Sequence, residues 1–259
     1  MPNLATRISK ALIVVAFVLL FLATTGSTQE AKTGVLRLRV RVKVGETTKG
    51  LARKRFFLLP GSLEQNRSLV EAIEKRPVVT RDCYYTRLGA SPALINWLKE
   101  SDCESVYCRE IAKEDVEGPQ TVPEFVRALN EGEKELGNRE LARKWLTTNI
   151  PDNLRDGFYK NRQSELQTII KQVEVGGTRV LSVMTDRNGT AYFTDLVPGT
   201  YVVSSLLPAE IESNSVTWNC EVQVKTGDLA TEKPYLISNR KDRNVKCVGV
   251  EQPMPVCEK

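Results

Sequence analysis

Eight cationic side chains crowd into residues 37–55: Arg37, Arg39, Arg41, Lys43, Lys49, Arg53, Lys54 and Arg55, against Glu46 alone. The chemistry open to them is anion recognition, because guanidinium and ammonium groups bind carboxylate, sulfate or phosphate by charge and hydrogen bonding. The local balance is +7 in a chain whose formal charge is +5. The first 29 residues hold +2, so everything outside these two stretches sums to −4. Arg37, Arg39, Arg41 and Lys43 alternate, which sets them about 6–7 Å apart on one face of a strand. An acidic glycan, a lipid headgroup or an acidic protein would suit Arg37, Arg39, Arg41, Lys43, Arg53, Lys54 and Arg55. The structural alternative is a solvated sheet face, or charge that blocks strand addition at an edge. Nucleic acid fits less well, since no aromatic residues are interleaved with the arginines.

Catalytic chemistry is narrow. The chain has no histidine, which excludes Ser-His-Asp and Cys-His nucleophiles and any imidazole base or metal ligand. No P-loop is present, and Gly176-Gly177 is too sparse for a dinucleotide fingerprint. Asp and Glu are scattered, and a pair such as Glu114-Asp115 reads as a solvated surface. No catalytic residue, cofactor or metal is assigned. Zinc would need four thiolates at irregular spacings, without a Cys-x-x-Cys.

The N-terminus and the cysteines set the expected compartment. Arg7 and Lys10 precede an unbroken apolar run from Ala11 to Ala23, followed by Thr24, Thr25, Gly26 and Ser27. This is the build of a signal peptide over residues 1–29, cleaved between Gly26 and Gln29. The run of 13 is shorter than the ~20 residues of a membrane span, although an uncleaved anchor is the competing reading. No later segment is apolar enough to span a bilayer, so the mature chain is expected to be secreted or periplasmic, in a bacterial cell envelope. Six cysteines (Cys83, Cys103, Cys108, Cys220, Cys247 and Cys257) fit disulfides in an oxidising compartment. Three lie mid-chain and three near the end, so full pairing requires at least one bond between the groups. Cys220 with Cys247 is the first expected pair, and Cys83 with Cys103 or Cys108 the second.

These side chains need a scaffold. Leu36, Leu38, Val40, Val42 and Val44 alternate with the basic residues, giving a strand over 35–44 with one buried face. Gly45 to Gly50 reads as a turn and 53–59 as a second strand, closed by Pro60-Gly61. The period then becomes helical. Ser62 to Gln65 fits a capping box before Leu69, Val70 and Ile73. Ser91-Pro92 fits a cap before Leu94, Ile95 and Leu98. Thr121 to Glu124 fits another box before Phe125 and Leu129. Leu141 and Trp145 mark the next helical stretch, which ends near Pro151. Leu166, Ile169, Ile170 and Val173 form a stripe that Gly176-Gly177 stops. Strands return at 178–185, 190–195, 200–206, 216–225, 235–238 and 244–249. The aromatics Trp97, Trp145, Phe158, Tyr84, Tyr85 and Tyr107 form either a satellite core or a recognition surface.

Asp186-Arg187-Asn188-Gly189, then Ala191, Phe193, Leu196, Pro198-Gly199, Tyr201 and Val203, is a strand–turn–strand with an Asn-Gly turn. About twenty residues here resemble the signature of prealbumin-like sandwiches, which include carboxypeptidase regulatory-like and Cna-B-type domains. The resemblance implies a non-catalytic stalk, adhesion or accessory module that binds carbohydrate or protein. Some Cna-B-type members carry a Lys–Asn isopeptide bond assisted by a Glu; Ser205 stands near that position, so the bond is not carried over. A helical segment is foreign to the family's pattern. The expected fold is α+β: an antiparallel prealbumin-like β-sandwich split between 30–61 and 177–259, interrupted by a mainly helical insertion at 62–176. The expected function is an exported, non-catalytic binding or envelope-interaction protein with an envelope protein or glycan as partner. The rivals are an envelope-glycan hydrolase using Asp and Glu of the helical segment, and a polyanion binder through 37–55.

Overall fold

The computed structural model describes residues 33–174, 179–227, 233–239 and 246–257. The signal peptide at 1–29 and the Gly176-Gly177 stop lie outside them. The architecture is α+β, and the helices lie between the third and fourth strands. One sheet holds β1 (Gly34–Val44), β2 (Thr47–Gly50), β5 (Thr190–Leu196) and β9 (Tyr235–Ser238). The other holds β3 (Arg55–Pro60), β4 (Leu181–Met184), β6 (Gly199–Ser204), β7 (Ala209–Ile211), β8 (Asn214–Val224) and β10 (Cys247–Pro253). Their pairings are antiparallel apart from β9, which runs parallel to β1 with Val40 opposite Ile237. That pairing departs from the all-antiparallel expectation. Residues 53–54 are not strand, because Arg53 takes a left-handed φ of 55°. The expected turn at 45–50 is a hairpin, with Gly45 at φ 56° and β2 pairing back on β1.

Alternation on β1 decides its faces. Leu36, Leu38, Val40 and Val42 are buried against Phe56, Leu58, Val203, Trp218 and Val222 of the second sheet. Each such side chain contributes about 1.5–3 kcal/mol when removed from water. The run Phe56–Leu59 lacks alternation because both its faces are covered. Phe56 and Leu58 enter the inter-sheet core, while Phe57 and Leu59 meet Ile73, Leu166 and Ile169 of the helices. The order of layers is therefore first sheet, second sheet, helices, and the outer face of the first sheet carries the arginines.

The helices are α1 (Arg67–Glu74), α2 (Arg81–Arg87), α3 (Pro92–Glu100), α4 (Pro123–Leu136), α5 (Arg139–Lys144), α6 (Asp152–Arg155) and α7 (Gly157–Val173). Ser62 and Gln65 exchange reciprocal bonds, Ser62 N donating to Gln65 Oε1 at 2.8 Å and Gln65 N to Ser62 Oγ at 3.2 Å. Ser91 Oγ caps α3 by accepting from Leu94 N at 3.1 Å. The expected box at Thr121–Glu124 does not form. Val122 is the cap of α4, and buried Glu124 instead accepts from Ser91 N and Ser91 Oγ, both at 2.7 Å. Pro123 at the first helical position has no N–H to offer, and charge-assisted bonds stabilise a buried carboxylate better. α3, α4, α5 and the start of α7 share a separate core around Trp97, Phe125, Leu129, Leu146 and Phe158.

Three disulfides close the chain: Cys83–Cys257, Cys103–Cys108 and Cys220–Cys247. Cys220 and Cys247 sit opposite each other on β8 and β10, as expected. The expected link of Cys83 with Cys103 or Cys108 is corrected. Cys103 and Cys108 are five apart in one loop and pair together, which leaves Cys83 on α2 for Cys257, the bond between mid-chain and C-terminus.

The Asn188-Gly189 turn is held tightly. Gly189 has φ 76°, and a methyl group there would run into the Val40 carbonyl oxygen and Leu51 N. Gly189→Ala is expected to cost about 2–3 kcal/mol, from left-handed backbone strain plus a shifted strand. A urea midpoint within error of wild type would contradict this.

Candidate functional site

The seven basic site residues fall into two separate groups. Arg37, Arg39, Arg41 and Lys43 stand in a row on β1, on the face away from the inter-sheet core. Arg37 lies opposite Tyr192, its guanidinium carbon 5.8 Å from the ring centroid. Arg39 lies between Thr190 and Leu236, and Arg41 beside Ser238. Tyr192 and Leu236 are each 43% exposed, so an aromatic and an aliphatic surface flank the row. Lys43 pairs with Glu46 at 3.8 Å. Among the described residues no carboxylate lies within ion-pair distance of Arg37, Arg39 or Arg41. Their stems are partly covered, and the Nε atoms of Arg37 and Arg39 are enclosed without a hydrogen-bond partner.

Arg53, Lys54 and Arg55 belong elsewhere. They enter β3 at the mouth of a cleft of about 300 Å³ between the second sheet and the helical segment. The opposite walls are the Cys103–Cys108 loop and α7. Lys54 Nζ meets Asp102 Oδ2 at 2.7 Å, and Arg162 Nε meets Glu104 Oε1 at 3.4 Å. Asp102 is positioned from below by Arg81, 5% exposed, whose Nη1 is 3.7 Å from Asp102 Oδ1 and donates to the Cys103 carbonyl at 3.2 Å. Arg55 Nη1 makes one long contact, 3.5 Å to Ser182 Oγ. Phe57, Leu166 and Leu207 supply apolar lining, and Tyr159, 45% exposed, stands beside it. A smaller cavity of about 120 Å³ adjoins it, sharing Arg162, Leu207 and Pro208. Glu74 lines this second cavity, and burial, with Glu71 nearby, pushes its carboxyl above the usual range.

Sequence reasoning did not find Asp102, Glu104, Tyr159 or Arg162. Tyr159, Arg162, Gln163 and Leu166 share one helix face at i, i+3, i+4 and i+7, which was the available signal. Of the aromatics, Tyr85, Trp97 and Phe158 are core, whereas Tyr107 and Trp145 are 56% and 57% exposed. Among the described residues no group of three or more Cys, Asp or Glu side chains is placed to hold a metal ion. No helix among them is long and apolar enough to cross a membrane.

Fold and site together define a disulfide-linked α+β protein with one basic sheet face and one charged interlayer cleft. No protein-family model and no curated protein matches the chain. Among solved structures it aligns with a protein from Pseudomonas aeruginosa provisionally described as carbohydrate-binding. That alignment has 16% identity, covers 82% of this chain and 92% of that one, and has a TM-score of 0.26. It also aligns with a pilus backbone from Streptococcus pneumoniae at 10% identity, over 80% of this chain and 41% of that one, with a TM-score of 0.25.

Proposed function

We propose that this is an exported, non-catalytic binding protein of the bacterial envelope. Its frame would be a carboxypeptidase regulatory-like sandwich split between 30–61 and 177–259, with 62–176 as an insertion. Its partner would be a polyanion, an acidic glycan, held on the outer face of the first sheet. The observation that carries this reading is the row Arg37, Arg39, Arg41, which has no carboxylate partner among the described residues and runs beside Tyr192. Like charges held in a row repel one another, and an anion lying across them relieves that repulsion. Three disulfides support an oxidising compartment. The lack of histidine supports a non-catalytic role, as does the pairing of both cleft carboxylates, Asp102 and Glu104, with cations.

The test is retention on immobilised heparin under a salt gradient. Changing Arg37, Arg39 and Arg41 to Glu is expected to weaken binding about tenfold from three lost pairs of about 0.5 kcal/mol each. Repulsion adds to that loss, so the variant should pass through near physiological salt. Unchanged elution would reject the sheet face as the binding surface.

A further inference from the structure

We infer that the cleft between the second sheet and the helical segment is a second binding site, for a single hexuronate residue of an acidic glycan. The inference rests on the reading of the protein as an acidic-glycan binder but uses none of the sheet-face residues.

The cleft carries both signs of charge. Arg53, Lys54, Arg55 and Arg162 face Asp102 and Glu104 across it. Inorganic sulfate or phosphate could pair with Arg53 and Arg55 but would bring no hydroxyl donors to Asp102 and Glu104, and a neutral sugar would leave Arg53 and Arg55 without an anion. A uronate satisfies both sets. Its carboxylate suits Arg53 and Arg55, and its hydroxyl groups can donate to Asp102 and Glu104 and accept from Lys54 and Arg162. Tyr159 at the lip offers an aromatic surface for the C–H face of a sugar ring. About 300 Å³ is at the low end for ligand pockets, which suits one sugar unit with the glycan continuing into solvent.

A second observation is independent of charge. Among the described residues five non-glycine residues have left-handed φ, and three of them surround this seam. Arg53 (φ 55°) and Asp102 (φ 51°) line the cleft, and Leu206 (φ 54°) lines the adjoining cavity. Each costs about 1–3 kcal/mol, and such residues gather where a fold presents side chains to a ligand. The walls are also fixed before a ligand arrives. Arg162 is held at once by Glu104, by the Pro208 carbonyl at 3.3 Å and over the Phe158 ring at 5.7 Å. Arg81 holds Asp102 from beneath.

The experiment is an NMR titration of the full-length mature protein at constant ionic strength with sodium D-glucuronate, D-glucose and sodium sulfate. Glucuronate should bind saturably with a dissociation constant on the order of 1 mM, as befits a ligand of this size. Glucose should bind about tenfold more weakly or not at all, having lost a charge-assisted contact. The double variant Arg53→Asn, Arg55→Gln removes both charges, and asparagine tolerates the left-handed backbone at position 53. It should lose about tenfold in affinity for glucuronate with an unchanged thermal midpoint. Tyr159→Ala should also weaken glucuronate binding, and the Arg37, Arg39, Arg41 to Glu variant should bind it as wild type does. Sulfate saturating the same resonances as tightly as glucuronate would overturn the assignment, as would undiminished binding by the double variant. If glucuronate binding disappears with the sheet-face variant instead, the cleft is not the site. If heparin retention persists in that variant while glucuronate still binds the cleft, the sheet-face reading fails and the cleft stands.

Discussion

The Cys83→Ser, Cys257→Ser protein is expected to melt about 10–20 °C below wild type. The bond spans 174 residues, the longest separation of the three. Chain entropy alone then gives about 5 kcal/mol of stabilisation, because the cross-link removes so many open conformations from the unfolded chain. In a domain of this size each kcal/mol moves the midpoint by about 2–4 °C. The bond also fixes the end of the chain, residues beyond β10, to α2. Cys103–Cys108 closes only a five-residue separation and is worth about 2 kcal/mol by the same reasoning. Calorimetry of the two double-serine variants checks the ranking. A larger loss from the short loop than from the long one would show that the entropic account does not hold.

Trp218→Ala is expected to cost about 3–5 kcal/mol, the usual range for emptying a large aromatic site in a core. Trp218 is fully buried on β8, with its ring centroid 6.0 Å from that of Phe56. It lies opposite Gly249 of β10. Its Nε1 donates to the Ser238 carbonyl at 2.9 Å, so one side chain spans from the second sheet to the last strand of the first. Trp218→Phe keeps most of the volume and loses that bond, for which about 1–2 kcal/mol is expected. Chemical denaturation of both variants separates the contributions. Equal losses would mean that the hydrogen bond, rather than the packing, dominates.

The sequence exposes what local chemistry decides. The alternation of β1 and the turn at Asn188-Gly189 follow from nearest neighbours, and so does the Ser91-Pro92 cap. Cys220 and Cys247 could be paired because both lie in strand-like runs. What was missed depends on partners far along the chain. β2, Thr47–Gly50, is exposed and carries no apolar pattern, so only its pairing with β1 makes it a strand. Glu124 has the right spacing for a local cap, yet it is claimed by Ser91, 33 residues away. The candidate site divides in the same manner. Seven basic residues look contiguous between 37 and 55, but the turn after β2 sends Arg53, Lys54 and Arg55 to the other sheet. There they meet Asp102 and Arg162, residues whose spacing from 53–55 says nothing of their proximity. The doubled burial of Phe56–Leu59 was visible only as a lack of alternation, since the helices that cover Phe57 and Leu59 come later in the chain.

That interleaving sets a clock on assembly. β1 waits for partners at 190–196 and 235–238, and β3 for partners at 181–184 and 199–204. The end of β3 and the start of β4 are 121 residues apart in the chain, so these pairings close long loops and form slowly. The helices between them have a core of their own and can form in the meantime. The protein is thus expected to fold from the middle outwards, its first strands among the last parts to find their places.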